Sequence, residues 1–111
     1  MMLGMYQITL PIRDNEGHDV MGQHVKFRQF VLNLIGGYTQ LPQCQGIWDD
    51  PETRKYHTDD NLAYQIACVS DRVWDQIVAK AFDLFPDQIS ILHVRMGTAT
   101  IDYAPPGRLK Q

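Results

Sequence analysis

His93 and Arg95 stand two residues apart near the end of the sequence. A histidine can carry protons near neutral pH, and an arginine can hold a carboxylate or phosphate through two hydrogen bonds. Because alternate residues of a strand point to the same face, the two side chains are expected to share one surface of a sheet. This pattern predicts a small-molecule pocket. Three polar residues of neighbouring strands are expected beside them, namely Gln7, Thr9 and Gln65.

A histidine and two aspartates lie close together in the segment 57–60, His-Thr-Asp-Asp. Histidine and carboxylates are common metal ligands, but neighbouring residues of a strand point to opposite faces. Only His57 and Asp59 are expected to share a face, which leaves the set without a third ligand. The segment 18–24 also lacks a coordination template. We therefore expect neither a metal site nor a cofactor, and no residue is assigned a catalytic role.

Three aromatic residues, Tyr38, Trp48 and Tyr56, are expected to cluster on a predicted hairpin. Aromatic residues on hairpins often pack against each other across the strands, in pairs worth about 0.2–1 kcal/mol. An exposed tryptophan can instead anchor a partner, because Trp and Tyr are frequent at binding hot spots. Both interpretations stay open, so Trp48 and Tyr56 form a candidate partner-binding site.

The spacing of apolar residues predicts the elements that position these side chains. Apolar residues alternate over 6–12, which is typical of a strand. They recur at intervals of three and four residues over 20–35 and 74–85, which is typical of amphipathic helices. Further strands are predicted for the segments 38–49, 55–69 and 89–103.

Polar residues and glycines mark where the helices begin and end. Asp19 is the predicted N-cap of the first helix, and Ser70 or Asp71 that of the second, because their side-chain oxygens can accept hydrogen bonds from free backbone N–H groups. The first helix is expected to end at Gly36-Gly37, since glycine adopts the left-handed C-cap conformation without a Cβ clash.

A turn over residues 50–53 is expected to set the register of the hairpin. With that turn, Trp48 lies opposite Lys55, whose ammonium group can lie over the indole ring. Cys44 is then far along the strand from Cys68. Two free thiols are expected, because a disulfide needs the two Cα atoms within roughly 7 Å of each other.

The predicted order of elements is strand, helix, strand, strand, helix, strand. This is the ferredoxin-like βαββαβ arrangement, an α+β fold. Right-handed crossovers give a four-stranded antiparallel sheet of order 4-1-3-2, with both helices on one face. Pro42 has no backbone N–H, which suits the edge position of the second strand. We predict one domain over 1–103 and a flexible tail over 104–111.

The sheet face opposite the helices is expected to mix apolar and polar side chains. Such a face is too apolar for free solvent and too polar for a dry core. Two interpretations stay open. Two copies of the chain pack their sheets face to face as a homodimer, or the face borders a pocket in which His93 and Arg95 bind a small molecule.

The size and charge of the chain exclude several classes of protein. With 111 residues and 12.8 kDa, it is long enough for one hydrophobic core, and its net charge is −3. An acidic balance without a basic patch argues against nucleic-acid binding. No apolar run reaches the ~20 residues of a membrane span, and no signal peptide is recognised. A cytoplasmic location is therefore expected.

Three short motifs give the sequence a resemblance to a group of short α+β proteins from bacteria and their phages. The group's pattern is Gly-Gly-aromatic-Thr, then Gly-x-Trp, then Phe-Pro-Asp-Gln. The matching segments here are 36–39, 46–48 and 85–88. The resemblance covers nearly the whole chain and implies a ferredoxin-like fold. It brings no assigned activity, cofactor or catalytic residue.

The lack of a catalytic constellation favours a non-enzymatic binding or interaction protein over an enzyme. A phage-type accessory protein that inhibits or sequesters a host factor fits the size and the resemblance. The alternative is a small dimeric α+β-barrel enzyme, or a nucleotide- or metabolite-binding protein, that uses a pocket on the open sheet face. Its ligand would be a small molecule, whereas the first interpretation requires a protein partner.

Overall fold

A computed structural model describes residues 2–104 of the chain. It contains two α-helices and one five-stranded antiparallel sheet. In chain order the elements are β1 (Met2–Pro11), α1 (Met21–Ile35), β2 (Thr39–Gln40), β3 (Cys44–Asp49), β4 (Tyr56–Cys68), α2 (Asp71–Leu84) and β5 (His93–Thr100). The predicted tail over 104–111 lies outside the described residues, apart from Ala104, and the predicted domain bounds stay a prediction.

The sheet has the order β2-β4-β1-β5, and β3 also pairs with β4. The α+β ferredoxin-like fold is therefore confirmed, with one difference in the sheet. The predicted second strand is divided into β2 and β3, so there are five strands where four were predicted. Pro42 lies in the interruption, where its missing N–H interrupts no ladder. Both pieces run along the same edge of β4.

The hydrophobic core lies between one face of the sheet and both helices. Alternate residues of β1 and β4 point into it, as the period-two pattern predicts. Each buried aliphatic or aromatic side chain there contributes about 1.5–3 kcal/mol relative to an exposed one. The fully buried members include Ile8, Leu10, Phe27, Val31, Tyr64, Ile66 and Ile77. This packing leaves the other face of the sheet without helices.

Two of the predicted helix caps are confirmed, and one is wrong. Gly36 has a φ of 87° and donates its backbone N–H to the carbonyl of Leu32 at 2.9 Å, which is a left-handed C-cap. Ser70 caps α2 by accepting the amide of Val73 at 3.3 Å. Asp19 is not the N-cap of α1, because Val20 occupies that position. Neither helix in residues 2–104 is long and apolar enough to cross a membrane.

The hairpin between β3 and β4 has a longer turn than the sequence predicts. Trp48 pairs with His57 instead of Lys55, so the predicted register is wrong by two residues. Asp50 explains the extra length: its carboxylate accepts the backbone amide of Glu52 at 2.9 Å, and its carbonyl accepts that of Arg54 at 2.8 Å. The turn therefore occupies residues 50–55. A shift of two preserves the face on which each side chain lies.

Both cysteines are free thiols, as predicted. Cys44 is exposed on β3 and pairs in the ladder with Asn61, whereas Cys68 is buried at the far end of β4. The two-residue error in register does not affect this conclusion, because Cys44 and Cys68 remain many residues apart along the sheet.

Candidate functional site

His93 and Arg95 do not lie on the open face of the sheet. Tyr6 pairs with Arg95 and Ile8 with His93 in the ladder between β1 and β5, so all four side chains point to the helix side. The sequence-based face assignment of His93 and Arg95 is therefore wrong. The reason is register: a shift of one residue moves every side chain of a strand to the opposite face.

Arg95 instead closes a polar cluster at the start of α2. Its guanidinium donates hydrogen bonds to the carboxylate of Asp71 and, at 3.2 Å, to the hydroxyl oxygen of Tyr6. The same carboxylate accepts a hydrogen bond from the hydroxyl of Tyr6. The ring of Tyr6 stacks on Trp74 with centroids 4.7 Å apart. Burial raises the pKa of the Tyr6 hydroxyl, which keeps it protonated as a donor. These contacts connect β1 and β5 to α2.

His93 takes part in the same contact between sheet and helix. The indole Nε1–H of Trp74 donates to Nδ1 of His93 at 3.1 Å, so this histidine nitrogen is an acceptor. His93 therefore carries its proton on Nε2 when neutral. Both His93 and Arg95 are used in packing α2, and neither lines either of the two cavities described below.

The open face of the sheet does carry the other predicted polar residues. Gln65 donates through Nε2 to the side-chain carbonyl of Gln7 at 3.2 Å, and the two face each other across β1 and β4. Val94 takes the place on β5 that was predicted for the charged residues. The central positions of this face are uncharged: Met5, Gln7, Thr9, Ala63, Gln65, Ala67 and Val94.

A cavity of about 750 Å³ lies where this open face meets the hairpin of β3 and β4. Its floor is the end of β1 and the middle of β4, with Thr9 and Asn61. Its walls are the hairpin and the segment 88–92. A volume of this size matches small-molecule sites, which are typically about 300–1,000 Å³. The polar and aromatic side chains that line it include Arg13, Trp48, His57, Asp59 and Asn61.

Trp48 lies across the strand surface in this cavity because of Gly46. A Cβ built on Gly46 would stand 2.9 Å from the indole Nε1 of Trp48 and 3.1 Å from Nδ2 of Asn61. A side chain at residue 46 would therefore displace the indole from this position. Residues 46 and 48 share a face by strand periodicity, so the Gly-x-Trp spacing places the indole over its own strand.

The acceptor groups of the cavity stand beside this indole. Asp59 pairs with Gly46 in the ladder, and within residues 2–104 no hydrogen bond or ion pair engages its carboxylate. Asn61 is only 6% exposed and donates through Nδ2 to the backbone carbonyl of Asp59 at 3.1 Å. Its side-chain carbonyl, Oδ1, accepts no hydrogen bond in the described part of the chain.

His57 is held at the rim of the cavity by the hairpin turn. Its Nε2 lies 3.1 Å from Oδ2 of Asp50. The backbone amide of Glu52, and secondly His57, lower the pKa of the Asp50 carboxyl below its ordinary value. Asp50 therefore remains ionised across the neutral range and orients His57, whose ring lines one side of the cavity.

The aromatic residues of the hairpin do not pack together. Trp48 pairs with His57 and Tyr56 with Asp49, so Trp48 and Tyr56 lie on opposite faces of the ribbon. Both are solvent-exposed, Tyr56 at 78% and Trp48 at 45%. The first alternative from the sequence, cross-strand packing of the two rings, is therefore wrong. Whether they bind a partner stays a prediction.

A second, smaller cavity of about 190 Å³ lies between the end of β1 and the C-terminal end of α2. It shares Pro11, Arg13, Asp14 and Gln88 with the larger one, so the two form adjoining recesses. The carboxylate of Asp14 is occupied within its own loop, because Oδ1 accepts the amides of Glu16 and His18. Asp14 therefore shapes the loop between β1 and α1.

The described residues contain no cluster of three or more histidine, cysteine, aspartate or glutamate side chains that could hold a metal ion. The sequence indicated Trp48 as a packing or partner-binding residue. It did not indicate Arg13 and Asn61 as residues of a cavity, or Gly46 as the residue beneath the indole. The Gly-x-Trp spacing was the available signal, because a glycine two residues before a tryptophan on a strand leaves room for the indole.

Comparison with known proteins yields likenesses of structure alone. No protein-family model matches the sequence, and no curated protein shows significant similarity to it. The divalent cation tolerance protein CutA1 from Thermus thermophilus superposes with a TM-score of 0.59 at 13% identity, over 99% of this chain and 93% of that one. CutA1 from Pyrococcus horikoshii gives 0.55 at 15% identity, over 99% and 92%.

A third similar structure is a phage SAM lyase in complex with S-methyl-5'-thioadenosine. It superposes with a TM-score of 0.61 at 12% identity, over 91% of this chain and 90% of that one. Identities this low establish the shared architecture and nothing about the site. The chain therefore has a ferredoxin-like α+β fold of the kind found in CutA1 proteins.

Proposed function

We propose that this chain is a small binding protein whose ligand is a nucleoside-class metabolite held in the cavity on the open sheet face. The observation that carries the proposal is the seating of Trp48. Its indole lies over Gly46 inside a cavity of about 750 Å³, beside the acceptor groups of Asp59 and Asn61. An aromatic plane next to hydrogen-bond acceptors suits a heterocyclic base joined to a polyhydroxyl sugar.

The comparison with the phage SAM lyase supports the ligand class. That protein was solved with S-methyl-5'-thioadenosine, a nucleoside, on a similar fold. Sequence identity of 12% transfers no residue. The likeness supports the size and class of the ligand, and the residues proposed to contact it are those that line the cavity of this chain.

We further propose that two copies of the chain associate through the open sheet face. Seven central positions of that face are uncharged, and Val94 on β5 is 45% exposed there. A two-fold contact brings the same patch of each copy together, so an uncharged face is complementary to itself. The relationship to the bacterial and phage group, with its accessory role toward a host protein, stays a prediction from the sequence.

Thermal unfolding with added nucleosides tests the ligand proposal. S-methyl-5'-thioadenosine is expected to raise the melting temperature of the wild-type protein in a saturable way, because a ligand that binds only the folded state stabilises it. Trp48→Ala is expected to abolish the shift. Tyr56→Ala is the matched control, since it removes an aromatic ring from the same hairpin on the opposite face, and it is expected to keep the shift.

Two results would contradict the proposal. One is the lack of a shift in melting temperature with any nucleoside at millimolar concentration, and the other is an equal loss of that shift in the two alanine variants.

Light scattering tests the association of two copies: Val94→Asp is expected to give a monomer, whereas Val25→Asp on the exposed side of α1 leaves the mass unchanged. A wild-type protein that is monomeric at all concentrations contradicts the dimer.

A further inference from the structure

We propose that Trp48, Asp59 and Asn61 form a subsite for an organic cation within the larger cavity. This inference rests on the proposed function, because the subsite lies in the same cavity. It adds that the bound group is positively charged. The ligand chemistry is a sulfonium or quaternary ammonium group. Such groups lack N–H donors, so they are recognised by aromatic faces and carboxylates instead of by directed hydrogen bonds.

The first support is the position of the indole. Aromatic rings attract cations over their faces, and tryptophan does so best. Trp48 lies along its strand toward Gly46, and Gly46 pairs directly with Asp59 on β4. The indole and the carboxylate are therefore diagonal neighbours on one face of the ribbon, close enough to contact a single small group.

The second support is the pair of acceptors that the fold leaves unused. Within residues 2–104, the Asp59 carboxylate has no cationic partner. Asn61 is only 6% exposed, and its Oδ1 accepts no hydrogen bond there, while Nδ2 is used. Every fully buried side-chain nitrogen or oxygen of these residues has a partner, so Oδ1 is the part of Asn61 that reaches the cavity. A carbonyl in such a recess needs water or a ligand to supply the complementary charge.

The other charged side chains of the cavity do not occupy the position beside Trp48 and Asp59, so a cation can bind there. His57 is turned toward Asp50, with 3.1 Å between Nε2 and Oδ2, so its polar edge is engaged with the turn. Arg13 lies at the opposite end, where the two recesses adjoin. Asp14 also lies at that junction, but its carboxylate accepts the backbone amides of Glu16 and His18. The acceptors of the cavity that have no partner within residues 2–104 are therefore those beside the indole, Asp59 and Oδ1 of Asn61. An extended ligand with a cation near its ring matches this arrangement.

Calorimetry with two nucleosides tests the subsite. S-adenosylmethionine carries a sulfonium and S-methyl-5'-thioadenosine is neutral. Asp59→Asn is expected to weaken binding of the sulfonium nucleoside about five- to tenfold, the typical effect of one partly exposed charge contact, and to change the neutral one by less than about twofold. Asp60→Asn is the matched control, because residue 60 points to the other face, and it is expected to change neither.

Gly46→Ala serves as a second variant with a different mechanism. Its Cβ displaces the indole, so both nucleosides are expected to bind more weakly. An Asp59→Asn protein that loses both nucleosides equally, or neither, overturns the cation subsite and leaves nucleoside binding in place.

Failure of the proposed function is detected separately. If the wild-type protein binds neither nucleoside, tetramethylammonium is titrated into it instead. Its binding is monitored through the NMR signal of the Trp48 indole Nε1–H. A saturable shift that disappears in Asp59→Asn upholds the cation subsite without nucleoside binding. An unperturbed indole signal overturns it.

Discussion

Nδ1 of His24 lies 2.7 Å from the hydroxyl of Tyr64 in the core, and its Nε2 lies 2.7 Å from the carbonyl of Pro11. A carbonyl can only accept, so Nε2 carries the proton and Nδ1 accepts from the tyrosine hydroxyl. Burial lowers the pKa of His24 below its ordinary value. The imidazole is therefore neutral in the folded protein, and its two hydrogen bonds connect α1 to β1 and β4.

This arrangement predicts that the protein loses stability in mild acid. The unfolded histidine titrates near pH 6.5, whereas the folded one titrates at a lower pH. The stabilisation is complete above about pH 6.5 and declines as the pH falls toward the folded pKa, because the unfolded state binds the extra proton. Urea midpoints measured at half-unit steps from about pH 7.5 to 4.5 are expected to fall over that window.

Two exposed histidines provide the control for this pH dependence. His18 and His57 lie beside Asp14 and Asp50 on the surface. The double variant His18→Asn with His57→Asn is expected to retain the fall in urea midpoint. A flat profile in that variant shows that surface pairs, and not His24, produce the effect.

The two thiols are expected to react at very different rates. Burial raises the pKa of the Cys68 thiol to about 11, and the thiolate is the reactive form. Cys44 is exposed, and its Sγ makes only a long contact of 3.7 Å with the carbonyl of Asn61. One equivalent of thiol is expected to react with Ellman's reagent in the native protein at about pH 8, and two in denaturant.

A Cys44→Ser variant identifies the reactive thiol. It is expected to remove the fast reaction completely and leave one slow thiol. Two fast thiols in the native wild-type protein would show that the end of β4 opens readily. No fast thiol would place Cys44 in a covered position, as in a contact between two copies.

The sequence predicted the core well because periodicity reports burial directly. Tyr64 and Ile66 alternate with the open-face residues as expected, and His24 belongs to the apolar stripe of α1. Such patterns depend on neighbours along the chain. Such patterns can be interpreted without knowing which strands are neighbours in the sheet.

The candidate site was predicted less well because it depends on register. The face of Arg95 is set by its pairing with Tyr6, and a bulge next to that pair shifts β5 by one residue. The length of the hairpin turn depends on Asp50 and on the left-handed conformation of Arg54. Neither feature has a periodic signal, so a cavity built from β1, the hairpin and 88–92 could not be derived from spacing alone.

The two tryptophans are expected to contribute to stability very differently. Trp74 is buried, stacks on Tyr6 and donates to His93, so Trp74→Ala should cost about 3–5 kcal/mol of unfolding free energy. Trp48→Ala is expected to change it by less than about 0.5 kcal/mol, because the residue lies on an exposed hairpin. Urea unfolding followed by circular dichroism measures both.

Fluorescence quenching separates the same two residues without relying on stability. Acrylamide is expected to quench the wild-type emission in two components, and Trp48→Phe should retain only the weakly quenched one. If Trp48→Ala instead destabilises the protein by several kcal/mol, the indole is part of a packed interface and not of an open cavity.

Arg54 adopts a φ of +60°, in the left-handed region, and among residues 2–104 it is the single non-glycine residue with positive φ. A side chain costs about 1–2 kcal/mol in that conformation, and glycine avoids the clash. Glycine also loses more backbone entropy on folding, about 0.5–1 kcal/mol. Arg54→Gly is therefore expected to stabilise the protein by about 0.5–1 kcal/mol in urea unfolding.

Thr53→Gly, one residue earlier at an ordinary φ, is the matched control and is expected to destabilise the protein slightly. Equal losses in the two variants would contradict the six-residue turn, and with it the register that places Trp48 opposite His57.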